Sequence, residues 1–159
     1  MNFETLKMTA LINAYSVFKI PLLAFTTPRI VELGEARSAV KVRLGFRTRN
    51  HLGVMYFGAL AMGAELSVAL KALQTIQASG KKIDFIFKDF HADFLKRADG
   101  HVIFVCEAGA EIAALVGAAA ADSERHTETF SGYAYVPSRS TEPVMKYQIT
   151  LSLKQRARK

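Results

Sequence analysis

The sequence is poor in residues that cross-link a chain or hold a metal ion. Its single cysteine, Cys106, excludes an internal disulfide framework and fits a reducing compartment. The four histidines are scattered, and neither they nor Cys106 recur at a recognised metal-ligand spacing. We therefore predict no metal site. A glycine-rich, phosphate-cradling loop of the nucleotide-binding type is also absent.

Long apolar runs are lacking near the start of the sequence. A bilayer span needs about 20 consecutive apolar residues, and the stretch between Lys7 and Lys19 is shorter than this. Lys19 and Pro21 also interrupt the apolar core that a secretory signal would need. These absences predict no membrane span and a cytoplasmic location.

The composition is that of a folded protein with a basic surface. Half of the 159 residues are hydrophobic and 22% are charged, so we expect a full core in one domain spanning 1–159. The net charge is +7, with basic residues concentrated in 37–49 and 154–159. This charge admits nucleic acid, an anionic membrane or a phosphate-bearing small molecule as a partner, beside the simpler interpretation of a solvated surface.

Hydrophobic periodicity predicts the secondary structure. Residues 3–19 have apolar positions at helical spacing, and Pro21 ends that pattern. Residues 36–46 alternate as a strand does, whereas 54–78 form a long, proline-free helix that is apolar nearly all round, with Ser79 and Gly80 as its stop. Strands are predicted over 82–94, 101–107, 127–136 and 144–153, and a short helix over 111–122.

This order of elements predicts an α+β fold. Asp99-Gly100 is typical of a turn between neighbouring strands, so we expect an antiparallel sheet. A single long apolar helix suggests that the sheet, within a core of 36–155, wraps around it, with an additional N-terminal helix.

Glu65 is the first candidate for chemistry. It is the only charged residue between Val54 and Leu70. Burial raises the pKa of a carboxyl group and makes it a better proton acceptor near neutral pH. Alternatively, Glu65 lies at a helix edge or a subunit interface and is satisfied by an arginine or a backbone group.

The approach to the same helix is the second candidate. Asn50, Gly53 and Gly58 lead into its N-terminus, where unpaired N–H groups can bind a phosphate or stabilise an oxyanion. Gly58 and Glu65 are seven residues apart, or about 10 Å along a helix axis. An antiparallel partner chain could bring its own Glu65 alongside.

The run from Asn50 to Gly58, followed by Ala64-Glu65, resembles the signature of hotdog-fold acyl-CoA thioesterases of the phenylacetate-pathway type. That signature reads Asn, two residues, Gly, two residues, His-Gly-Gly, and an acidic residue seven positions later. Asn50, Gly53, Gly58 and Glu65 match it, whereas Tyr56-Phe57 replaces His-Gly. Residues 88–100 are also similar to the strand–turn segment of uncharacterised thioesterase-like members.

The resemblance implies a hotdog fold and a site shared across a homodimer or homotetramer. Glu65 would be the general base or nucleophile, Gly58 N–H of the other chain would polarise the carbonyl, and Asn50 would hold water or substrate.

The substrate would be an acyl-CoA or an acyl-carrier thioester, with coenzyme A as part of the substrate and no other cofactor. Its acyl chain would lie in an apolar tunnel beside the helix. The resemblance assigns the remaining contacts with the substrate to Gly53, Tyr56, Phe57, Lys96 and Arg97, with the CoA phosphates on the last two.

Three functions stay open from the sequence. The first is a thioester hydrolase. The second, which the Tyr56-Phe57 departure favours, is an acyl-CoA or fatty-acyl binding protein without turnover. The third is a basic nucleic-acid or membrane-surface binder, although we expect no nucleic acid because no recognition motif is present.

Overall fold

The computed structural model describes residues 3–156, so Ala157, Arg158 and Lys159 of the basic tail lie outside the described residues. Within this range the helices are α1 (Phe3–Lys19), α2 (Pro21–Thr26), α3 (Phe57–Ser79) and α4 (Gly109–Ala121). The strands are β1 (Arg29–Leu33), β2 (Ser38–Val42), β3 (Ile83–Phe94), β4 (Val102–Cys106), β5 (Arg125–Tyr135) and β6 (Pro143–Gln155).

The strands form one antiparallel sheet in the order β1-β2-β4-β5-β6-β3. β3 is therefore an edge strand, and β5 and β6 separate it from β4. The prediction that Asp99-Gly100 joins neighbouring strands is wrong. After β3 the chain instead follows β6, since Leu95 N and Lys96 N both donate to Val144 O at 2.8 and 3.1 Å.

The predicted central helix is confirmed as α3, which packs across β2, β4, β5 and β6. Its first turn begins at Phe57 rather than at residue 54, because the preceding residues are held in a loop. Gly63 allows close approach to the sheet: a Cβ there would lie 2.2 Å from the ring of Phe104. α3 has the length and hydropathy of a membrane-spanning helix, but 61% of its most apolar 18-residue stretch is buried in the protein.

Two hydrophobic clusters lie on different sides of α3. The main cluster joins its sheet-facing residues, such as Ala64 and Val68, to the sheet and α4. The second cluster packs the N-terminal helices and β1 against α3, and consists of Ile12, Leu23, Ile30, Val40, Leu66 and Leu70.

α1 is confirmed as a helix. The apolar positions whose spacing predicted it are exposed, with Phe3 at 80% and Phe18 at 82%; the others are Leu6, Leu11, Ala14 and Val17. The inner face of α1 carries Ile12 of the second cluster together with two polar contacts. Asn13 Nδ2 donates to Pro28 O at 2.9 Å, and Ile30 N donates to Thr9 Oγ1 at 3.0 Å. These bonds tie α1 to β1 and leave the apolar stripe outside.

Residues 20–33 contain two elements that the sequence analysis missed. Pro21 does end α1, but it also occupies the first turn of α2, where a proline costs no hydrogen bond. Thr27 closes α2 in the left-handed region at φ 46°, and β1 follows. The strand predicted over 36–46 is shorter, because at Leu44 the chain leaves the sheet and its N–H donates to His101 Nδ1 at 3.1 Å.

Candidate functional site

A hydrogen-bonded loop precedes α3. Asn50 Oδ1 accepts from Leu52 N at 2.9 Å and from Val54 N at 3.3 Å, while Asn50 N donates to Val54 O at 2.8 Å. Gly53 has φ +75°, the left-handed region that favours glycine. Both residues thus shape the approach to the helix, and for Asn50 a contact with water or substrate stays a prediction.

The N-terminus of α3 carries the expected free backbone donors, but an aromatic side chain covers it. Tyr56 is the N-cap, no side chain caps the helix, and no acidic residue lies in its first turn. The Tyr56 ring lies against Gly58, where an added Cβ would be 2.7 Å from Tyr56 Cε1. Tyr56 and Phe57 make an edge contact, and Phe57 makes a second one with Phe94, both at 6.1 Å between ring centroids. Aromatic rings therefore narrow the approach to Gly58.

Glu65 lies two turns further along α3 and is half-buried. Desolvation by burial raises the pKa of its carboxyl group. Among residues 3–156, no side chain forms a hydrogen bond or an ion pair with this carboxylate. In the described residues, therefore, no arginine of the same chain pairs with Glu65 in the way that one of the alternatives expected.

Glu65 borders two cavities. The first, which we call the front cavity, has a volume of about 540 Å³ and lies between α3 and β3. Gly58 and Glu65 both line it, together with Met62, Asp89 and Phe90. The structure therefore brings two of the predicted catalytic residues to one cavity within a single chain.

Asp89 is a carboxylate of the front cavity that sequence reasoning missed. It accepts a hydrogen bond from Thr150 Oγ1 at 2.7 Å. The register between β3 and β6 shifts between Phe87 and Asp89, so a bulge there changes the alternation that assigns side chains to faces. The sequence pattern of 82–94 does not reveal this bulge, so it does not predict that Asp89 lines the front cavity.

The second cavity, which we call the back chamber, has a volume of about 460 Å³ and is roofed by α1 and α2. Glu65 and Ser16 lie on its wall, and the Ser16 hydroxyl is buried without a hydrogen-bond partner among the described residues. Most of the other lining side chains are apolar: Ile12, Ile20, Leu23, Leu66, Leu73, Ile76, Ile83, Phe85 and Phe87. Glu65 thus borders both the open front cavity and a mostly apolar chamber, whose wall also includes the ion pair of Asp84 and Arg156.

Lys96 and Arg97 line neither cavity. Both are exposed, and Lys96 Nζ pairs with Glu142. Their segment does lie beside the approach loop, since Met55 N donates to Ala98 O at 2.9 Å. A contact between these two cations and a phosphate group stays a prediction.

Ser67 belongs to a buried hydrogen-bond network and not to a nucleophilic site. Its hydroxyl lies 2.7 Å from that of Tyr147, which in turn donates to Val105 O at 2.9 Å. Burial raises the pKa of Tyr147, so the phenol stays protonated. Within residues 3–156 there is also no cluster of three metal-ligating side chains.

One long helix packed across a six-stranded antiparallel sheet is the arrangement of a hotdog fold. Solved structures that share this fold include the following three. A protein of unknown function from Chlorobaculum tepidum has a TM-score of 0.81 at 11% identity, over 96% of this chain and 97% of that one. A Pseudomonas aeruginosa protein for which a thioesterase function is proposed has a TM-score of 0.75 at 20% identity, over 93% of this chain and 96% of that one. A thioesterase from Haemophilus influenzae has a TM-score of 0.66 at 15% identity, over 91% of this chain and 90% of that one.

The family model of a domain of unknown function, DUF4442, matches residues 8–153, and the chain belongs to that family. No functionally curated protein matches the sequence. At these identities, the similarity to the solved structures establishes the fold, and the chemistry has to be argued from the site.

Proposed function

We propose that the protein hydrolyses an acyl thioester, with coenzyme A or an acyl carrier as the leaving group. The observation that carries this proposal is the position of Glu65 between the front cavity and the apolar back chamber. A carboxylate there would meet the thioester carbonyl while the acyl chain occupies the chamber. The carrier would remain on the open side, near the approach loop.

The proposed chemistry balances with water as the only co-reactant. The Glu65 carboxylate takes a proton from water, and the water oxygen forms a bond to the thioester carbonyl carbon. The resulting oxyanion is stabilised by backbone N–H groups at the start of α3, with Gly58 as the principal donor. When the C–S bond breaks, the proton on Glu65 passes to the leaving thiolate. The products are a free acid and a thiol, and the carboxylate is regenerated.

The raised pKa of Glu65 supports the role of general base, because a more basic carboxylate accepts a proton more readily. A nucleophilic Glu65 would instead form an acyl anhydride. Single turnover in ¹⁸O-labelled water distinguishes the two, since hydrolysis of the anhydride at the Glu65 carbonyl would leave label on the protein.

We further propose that the working unit is a homodimer or a homotetramer. Gly58 and Glu65 are about 10 Å apart along α3, which is too far for one carbonyl to meet both within one helix. β3 is a long edge strand with exposed apolar side chains, including Ile86 and Phe90, and it lines the front cavity. A second copy packed at this edge could supply its Gly58 to Glu65 of the first.

The test is release of free thiol from acyl-CoAs of short, long and aromatic acyl groups. Glu65→Gln should lower turnover roughly a hundredfold or more, as expected for the loss of a general base. Glu128→Gln, an exposed change on β5 away from both cavities, is the matched control. Equal rates for Glu65→Gln and the wild-type protein would refute the assignment. Light scattering of the same samples should give at least a dimer.

A second candidate function is acyl-thioester binding without turnover. The specific observation in its favour is the Tyr56 ring lying over Gly58, where the resembled signature has His-Gly at positions 56 and 57. If no acyl-CoA is hydrolysed, calorimetric titration with the same panel tests this function. Binding that Leu73→Trp weakens, by filling the back chamber, would support it.

A further inference from the structure

The outward face of α1 is an apolar surface that the rest of the chain leaves uncovered. Phe3, Leu11 and Phe18 lie on it, and α1 also carries the exposed Lys7 and Lys19. Exposed apolar patches that are rimmed by charge commonly mark interaction sites. The opposite face of α1 is held by the buried Ile12 and by the hydrogen bonds of Asn13 and Thr9, so the exposed position of the apolar face is a specified feature of the packing.

α2 extends the apolar face beyond the end of α1. Leu22 and Phe25 lie one turn apart on α2 and are 66% and 52% exposed, whereas Leu23 and Thr26 face inward. α1 ends at Lys19 and α2 begins at Pro21, so only Ile20 separates the two helices. The two helices therefore present apolar side chains along one continuous segment.

Two arginines lie on the turn that follows β2, and one of them, Arg47, contacts this segment. The Arg47 guanidinium lies 5.4 Å from the ring centroid of Phe25, and that of Arg49 lies 5.8 Å from that of Phe46. Phe46 is 85% exposed. Backbone bonds from Thr48 N and Arg49 N to Gly45 O, at 3.1 and 3.0 Å, order the turn. Cations and exposed rings are thus held together in one place.

We propose that this surface, defined as Phe18, Leu22, Phe25, Phe46, Arg47 and Arg49, docks the protein on an anionic lipid bilayer. Aromatic and aliphatic side chains would enter the boundary between headgroups and acyl chains, and the arginines would meet lipid phosphates. A second protein surface with these properties would need a matching acidic and apolar face. A duplex nucleic acid would use the arginines but would leave Leu22 and Phe18 without a partner.

The inference is independent of the proposed hydrolysis, and its test does not use activity. The full chain is sedimented with vesicles of equal parts phosphatidylcholine and phosphatidylglycerol, and with vesicles of phosphatidylcholine alone. We expect binding to the anionic vesicles that falls as salt is raised. Arg47→Glu with Arg49→Glu should weaken the partition coefficient at least about thirtyfold, because each basic residue near such a surface contributes roughly fivefold.

The matched control reverses the same amount of charge elsewhere. Lys146 and Lys154 are exposed on β6, where they alternate with the inward Tyr147 and Leu153, so Lys146→Glu with Lys154→Glu should bind as the wild-type protein does. Leu22→Ser with Phe25→Ser should weaken binding roughly tenfold through the lost apolar contact. Circular dichroism of each variant checks the fold.

Several results would overturn the proposal. The first is that the protein does not sediment with anionic vesicles. The second is that it binds equally to both vesicle types. The third is that both charge-reversed double variants lose the same amount of vesicle binding. If the wild-type protein does not bind vesicles, and the Leu22→Ser, Phe25→Ser double variant has a lower oligomeric mass than the wild-type protein, the surface would be assigned to contact with a second copy of the chain. Binding to a duplex oligonucleotide but not to vesicles would assign it to nucleic acid.

Discussion

Replacing Glu65 by glutamine should stabilise the folded protein at neutral pH. The carboxyl group is half-buried between two cavities, and burial raises its pKa in the folded state. The folded protein therefore binds this proton more tightly than the unfolded chain does. The free energy of unfolding must then decrease as pH rises from the ordinary glutamate pKa through the raised one, and stay lowered above it. Glutamine keeps the shape of the side chain and carries no charge.

The size of the effect follows from the same linkage. Each pKa unit by which burial shifts Glu65 corresponds to about 1.4 kcal/mol. In a domain of this length that is roughly 3–6 °C in Tm. The gain of Glu65→Gln over the wild-type protein should be full at pH values above the raised pKa. It should disappear below the ordinary glutamate pKa of about 4.3, where the wild-type side chain is also neutral.

Urea denaturation of both proteins across this pH range, at one fixed protein concentration, measures the difference. Glu128→Gln, which changes an exposed glutamate, should give no comparable gain at neutral pH. If Glu65→Gln is no more stable than the wild-type protein at neutral pH, or if its gain does not depend on pH, the carboxylate has a partner that compensates its burial. The argument from desolvation would then fail.

Three further changes test the packing around the site, each by thermal or urea unfolding. Gly53→Ala should lower the free energy of unfolding by about 1–2 kcal/mol, because residue 53 has a positive φ. Gly45→Ala, with open space around the added Cβ, should leave it nearly unchanged, and an equal loss in both variants would contradict this. Gly63→Ala should cost about 1–3 kcal/mol despite better helix propensity, because its Cβ meets Phe104, and a stabilised variant would refute that contact. Tyr147→Phe should cost about 1–3 kcal/mol through its buried hydrogen bonds but leave turnover unchanged.

The sequence was sufficient to predict every helix and strand except α2 and β1, because the patterns of the others are local. The long apolar run of α3 and the alternation in β4 and β6 each predict their own conformation. The position of Glu65 on α3 follows from the same run. What the resemblance added was the pairing of Glu65 with Gly58 of a partner chain, which stays a prediction. Within one chain, both residues line the front cavity.

The missed features depend on which element lies next to which. Periodicity identifies the apolar stripe of α1 but not the side on which α1 meets the protein. On that side Ile12 packs into the second cluster, and Thr9 and Asn13 form hydrogen bonds. A turn signal at Asp99-Gly100 cannot reveal that two other strands lie between β3 and β4. The bulge before Asp89 is likewise a property of the pairing with β6, so no single-strand pattern shows it.

The division of the apolar interior by α3 has a consequence for how the molecule opens. The cluster beneath α1 and α2 is small, and the main cluster on the sheet side does not include either helix. Contiguous units of a protein exchange their amide hydrogens with separate free energies of opening. Release of α1 should therefore precede global unfolding, with its amides exchanging faster than those of α3. Because α1 roofs the back chamber, the opening free energy of one helix would set how readily a long apolar chain enters.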